Sequence, residues 1–156
     1  MSGFRPGVRI GVDVGTARIG VARCDRDGLL AVPVETVPRG EGDLARIAAL
    51  AAEYEAVELV VGLPVALSGR ETASTADARG FAEALAAAGH SVRLVDERLS
   101  TVSAHSALRG SGRSQRSSRS IVDQVAAVVL LQQALDVEKS TGNPPGASVA
   151  PSQEHP

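Results

Sequence analysis

A chain of 156 residues fits one domain with a substantial core and leaves no room for a second of similar size. Its single cysteine excludes an internal disulfide, and no run of about 18 apolar residues is present to span a membrane. A net charge of −2 argues against holding nucleic acid through bulk charge, although fifteen of the sixteen basic residues are arginine.

Residues 1–6 carry no apolar signal core, so a cytoplasmic protein is expected. Residues 8–14 and 17–24 read as two strands joined by a Gly15-Thr16 turn. Asp27-Gly28 then marks a hairpin into a third strand over 29–37. Pro33 cannot donate to a ladder, which places that strand at a sheet edge. Asp25 and Asp27 lack the distal glutamate of a calcium loop, and the hairpin reading stands. Cys24 reads as a small buried hydrophobe.

From Asp43 the apolar spacing of Leu44, Ile47, Leu50 and Ala51 predicts a helix. A strand follows over 57–61, broken at Gly62-Leu63-Pro64, then a helix from Thr75 to Ala88 that Gly89 can end. A fifth strand spans 91–95, Ser100 can cap a helix ending near Gly110, and a last helix runs from about Ser120 to Val137. Strands alternating with helices imply parallel pairing in this half. The reading is therefore α/β, with one domain over 1–138 and an expected disordered tail over 139–156.

Three acids interrupt otherwise apolar segments: Asp13 on the first strand, Glu97 after the fifth, and Asp123 in the last helix. Burying a carboxylate uncompensated costs several kcal/mol, and three that converge repel one another unless divalent cations join them. Each also has a plainer explanation: Asp13 as a turn cap, Glu97 as an ion-pair partner of Arg93 or Arg98, and Asp123 as a first-turn acid favoured by the helix dipole. All three plain explanations holding at once is improbable, and the acids read as a metal site. Between Arg98 and Ile121 lie Arg109, Arg113, Arg116 and Arg119 with no acid among them, in a Gly-Ser setting suited to phosphate contact. Aromatic residues are limited to Phe4, Tyr54 and Phe81, so a nucleic acid would be gripped through its backbone rather than by base stacking.

The segments Gly11–Ala22, Val61-Gly62-Leu63-Pro64, Asp96–Thr101 and Val122–Ala127 resemble in order and spacing the YqgF/RuvX family, over residues 8 to about 137. The resemblance implies a ribonuclease H-like fold, a mixed five-stranded sheet with strands 1–3 antiparallel and helices on its faces. It also implies metal-dependent cleavage of nucleic acid by Asp13, Glu97 and Asp123, with Mg²⁺ or Mn²⁺ as cofactor. Asp13 would bridge two ions, with Glu97 on one and Asp123 on the other. Gly15 would admit the substrate backbone, Thr16 or Arg18 would bond a phosphate, and Arg113, Ser114, Arg116, Ser117 and Arg119 would position the strand. The family is assigned both to 5′ maturation of 16S ribosomal RNA and to Holliday-junction resolution. The expected partner is thus precursor rRNA or branched DNA, and the latter calls for a homodimer. A non-catalytic nucleic-acid or ribosome-binding module would use the arginines but not the acids. An actin-like phosphotransferase needs a second domain, a serine hydrolase lacks its Gly-x-Ser-x-Gly elbow, and a Rossmann site lacks its glycine spacing.

Overall fold

A computed structural model describes residues 4–97 and 115–150, with side chains for 4–97 and 123–150. β1 (Arg9–Val14), β2 (Arg18–Cys24) and β3 (Ala31–Pro38) form the antiparallel meander. Asp25 closes its second hairpin by accepting hydrogen bonds from the backbone N–H groups of Asp27, Leu29 and Leu30. Gly28 there takes the left-handed φ of 64° that the turn needs. β3 lies at the sheet edge, as Pro33 requires.

After α1 (Asp43–Glu53) the chain enters β4 (Glu58–Leu63), which pairs parallel with β1, and after α2 (Ala73–Ala87) it enters β5 (Val92–Asp96), parallel to β4. Thr72 and Thr75 start α2 with a reciprocal capping box, satisfying two backbone donors that would otherwise be orphaned. The helix expected over 100–110 lies outside the described residues. α3 (Gln115–Thr141) follows, and β6 (Ala147–Ser148) completes the sheet in the order β3-β2-β1-β4-β5-β6.

The period-2 alternation of the strands sorts their side chains onto two cores. On one face Ile10, Val12, Ile19, Val21, Leu59 and Val61 pack with Ile47 and Leu50 of α1 and Phe81 and Leu85 of α2. On the other, Ala22, Cys24 and Val60 pack against Ala127, Leu131 and Leu135 of α3. Gly11 lets α3 lie directly on β1: a Cβ there would stand 2.9 Å from Leu131 Cβ and 3.0 Å from the Ala127 carbonyl oxygen. Cys24 is fully buried, as expected.

The structure corrects three expectations. The sheet has six strands rather than five, because Gly146 turns the chain after Pro144-Pro145 and sets Ala147 and Ser148 beside Leu94 and Arg93. The segment expected as a disordered tail from 139 thus continues α3 to Thr141 and supplies β6; Val149 N–H also donates to the Val92 carbonyl at 2.9 Å. Finally, α3 is already helical at Gln115, ahead of the start expected near Ser120, and no glycine or proline stands between Gly112 and Thr141 to stop it. Asp123 is consequently two turns inside the helix, where the dipole argument for a first-turn acid does not apply.

At the foot of the sheet, where β1 and β4 begin, lies a buried ion cluster. Arg9, 1 % exposed, donates to both carboxylate oxygens of Glu138 on α3 at 3.0 and 3.2 Å. Arg5 reaches Glu138 at 2.9 Å and Glu58 at 3.1 Å, and Arg93 reaches Glu58 at 3.2 Å. Burial alone would raise the Glu138 carboxyl. The hydrogen bonds from Arg5 and the charges of Arg9 and Arg5 outweigh it and hold the pKa down at about 2.

Candidate active site

The acids gather at the opposite pole, where the parallel strands end. Asp13 is the penultimate residue of β1, half-buried on the face that α3 covers. Glu97 follows the last residue of β5, its N–H donating to the Leu63 carbonyl at 3.2 Å. Its side chain folds back across β4 and hydrogen-bonds with the Asp13 carboxyl. Burial first, then that hydrogen bond and the charges of Asp13 and Asp96, push the Glu97 pKa up to about 10. Glu97 therefore keeps its proton at neutral pH.

Asp123 comes from α3, one turn before buried Ala127, and feels the charge of Asp13. Its carboxylate accepts a 2.7 Å hydrogen bond from Arg18 Nε on β2. Burial raises the Asp123 pKa, Arg18 works against it, and the net shift is upward. Among the described residues no three acids, histidines or cysteines stand close enough to hold an ion as they are, and Asp123 is engaged by Arg18. The plain explanation for Glu97 fails in one respect: Arg93 pairs with Glu58 instead.

The other expected residues fall unevenly. Gly15 closes the β1–β2 turn, its N–H donating to the Arg18 carbonyl at 2.8 Å, and a Cβ there would strike that same oxygen at 2.7 Å. Its bareness serves the turn. Thr16 is exposed at the turn tip beside it. Arg116, Ser117 and Arg119 lie on the first turns of α3 rather than in a loop, and their side chains, like the whole of Arg113 and Ser114, lie outside what is described. Sequence reasoning missed Arg39, which holds the turn by donating to the Gly15 carbonyl at 2.8 Å while forking onto Asp77 at 2.8 and 3.0 Å. It also pairs with Asp43 four residues on at 3.4 Å, but the partners that tie it to the turn and to α2 are 24 and 38 residues away and leave no local mark.

A sheet of this order with three acids at the ends of β1, β5 and within α3 can be compared with known proteins. The family model described as RuvX, Holliday junction resolvase, matches residues 7–137. The chain belongs to this family. Among RuvX relatives, a protein of Clavibacter michiganensis subsp. michiganensis named "Putative pre-16S rRNA nuclease" is 61% identical, covering 94% of this chain and 93% of its own. One of the same name from Leifsonia xyli subsp. xyli is 60% identical, over 95% and 97% of the two chains. Of solved structures, RuvC of Thermus thermophilus in complex with a Holliday junction substrate aligns with a TM-score of 0.55 at 18% identity, over 88% of this chain and 99% of that one. That likeness bears on the fold, which is ribonuclease H-like as expected. RuvX membership makes the protein a nuclease, a phosphodiester hydrolase. No described helix is long and apolar enough to cross a membrane.

Proposed function

We propose that this RuvX protein is a divalent-metal-dependent nuclease that matures the 5′ end of the 16S rRNA precursor, with Asp13, Glu97 and Asp123 as its metal ligands. The observation that carries the reading is the Asp13–Glu97 pair: two carboxyl groups in hydrogen-bond contact, one holding its proton to about 10. Apolar packing has no use for such a pair, whereas a dication replaces the Glu97 proton and relieves the repulsion. The donor set is all oxygen, which suits Mg²⁺ or Mn²⁺ over softer ions. When bound, such ions lower the pKa of a water nucleophile and neutralise charge on the scissile phosphate.

The chain's own residues do the rest. Asp13 and Glu97 hold one side of the site from the rigid sheet, and Asp123 holds the other from α3. Arg18 is the counter-ion of Asp123 and a guanidinium at hand for a phosphate oxygen once the carboxylate takes up metal. Thr16, exposed at the β1–β2 turn, stands beside it to donate from its hydroxyl. Arg113, Ser114, Arg116, Ser117 and Arg119 would grip the strand ahead of the site. A cytoplasmic location fits precursor rRNA.

The family description and the relatives' names differ on substrate. Precursor rRNA is favoured because a monomer suffices for it, whereas a junction resolvase needs two sites on a symmetric dimer to cut opposed strands. The net-acidic chain also offers little basic surface for four duplex arms. Labelled precursor rRNA, linear DNA and four-way junction, each incubated with protein and Mg²⁺ or Mn²⁺, test this. RNA cleavage by a monomer, abolished by EDTA, is expected. Paired nicks in the junction by a stable dimer, with the RNA left intact, would reverse the assignment.

A further inference from the structure

Glycine inside a strand weakens it, so each one calls for a cause. The two strands that flank β1 each place a glycine beside Asp13. Gly20 on β2 is the direct cross-strand partner of Asp13. On the other side Val12 pairs with Val61, and the same parallel register sets Asp13 next to Gly62 on β4. Neither glycine has a left-handed φ, so the backbone would accept any residue; the constraint is space.

The occupants of that space are the other two acids. A Cβ on Gly20 would stand 1.8 Å from the Asp123 backbone oxygen and 2.3 Å from its carbonyl carbon. A Cβ on Gly62 would stand 2.1 Å from Glu97 Oε2, 2.6 Å from its Cγ and 2.7 Å from its Cδ. At Gly20 the three nearest atoms all belong to Asp123, and at Gly62 all belong to Glu97. A side chain at either place would stand between Asp13 and one of its partners.

We propose that Gly20 and Gly62 are positioning residues of the nuclease site, bare so that the backbone of Asp123 and the side chain of Glu97 can close on Asp13 from its two flanks. This rests on the reading of the three acids as metal ligands. It goes beyond that reading by naming what sets their spacing. The two seats differ in kind. Gly20 seats helix backbone, which cannot yield locally, whereas Gly62 seats the end of a flexible side chain, which can swing away and leave the fold intact.

Gly62 therefore gives the cleaner test. Wild type, Gly62→Ala, Glu97→Ala and the double variant are compared for metal-free melting temperature, for Mn²⁺ affinity by calorimetry, and for kcat and KM on precursor RNA. Gly62→Ala alone should fold, bind Mn²⁺ at least tenfold more weakly, and lose kcat with KM for the RNA unchanged. In the Glu97→Ala background the same substitution should alter neither the melting temperature nor the residual Mn²⁺ affinity. Wild-type Mn²⁺ affinity in Gly62→Ala, or an equal loss of melting temperature in both backgrounds, would overturn the proposal. Melting needs neither metal nor nucleic acid. If wild type neither binds Mn²⁺ nor cleaves, the proposed function fails, while the melting cycle still judges the seat: a cost present with Glu97 and absent in the Glu97→Ala background upholds it, and an equal cost rejects it.

Discussion

Glu97 and Glu138 are both buried carboxyl groups of one chain, and they respond to pH in opposite senses. Folded Glu97 keeps its proton to about 10, against 4.5 for an ordinary glutamate. Across that interval the folded state binds more protons than the unfolded one, so metal-free stability falls as pH rises. Folded Glu138 releases its proton at about 2 instead of 4.5. Its contribution is present above 4.5 and disappears as pH falls towards 2. Melting temperature in EDTA should accordingly fall on both sides of about pH 5, and Glu97→Gln should flatten the alkaline limb alone. An alkaline limb that is unchanged in Glu97→Gln would mean that some other group titrates there. Asp13→Asn should reduce cleavage to background yet leave the metal-free protein folded, because it removes one of two carboxyl groups in contact. Full activity of Asp13→Asn with saturating Mn²⁺ would refute the assigned site.

At the scale of elements, legibility tracked pattern length. The meander and the parallel β4 and β5 were readable because each strand repeats its signal over five or more residues. β6 was not, since two residues carry no period and their pairing with Arg93 and Leu94 depends on a turn at Gly146. The start of α3 was set too late because the Arg-Ser-rich sequence after Gly112 carries no apolar period to announce a helix and no glycine or proline to delay one. The three acids were conspicuous as charges in apolar runs, whereas the engagement of Asp123 by Arg18, 105 residues away, left no local trace. Two predictions belong here. Gly20→Ala sets a Cβ against helix backbone and should destabilise the fold by about 1–3 kcal/mol, as overpacking does; chemical denaturation measures it. Ending the chain after Thr141 removes β6 and bares the edge of β5, which should lower the melting temperature and promote association on heating. A truncated protein that melts like wild type and stays monodisperse would show β6 to be dispensable.

For the molecule as a whole, the ion cluster at the foot of the sheet and the acids at its head are two places, at opposite ends, where charged groups enter the described core. Arg9 and Glu138 are each almost fully buried. Removing one member leaves an uncompensated charge, so Glu138→Ala should cost about 3–5 kcal/mol, read as a lower denaturation midpoint. A loss below about 1 kcal/mol would mean that Arg9 is hydrated in the variant.

Glu138 also lies fifteen residues beyond Asp123 on the same helix, about 22 Å along its axis at 1.5 Å per residue. The Arg5–Arg9 clamp thus holds the far end of the same helix that delivers Asp123 to the site. A tilt of about 3° at the clamp would carry the Asp123 end by about 1 Å, given a rod of that length. A misplacement of that size is enough to slow a reaction about a hundredfold.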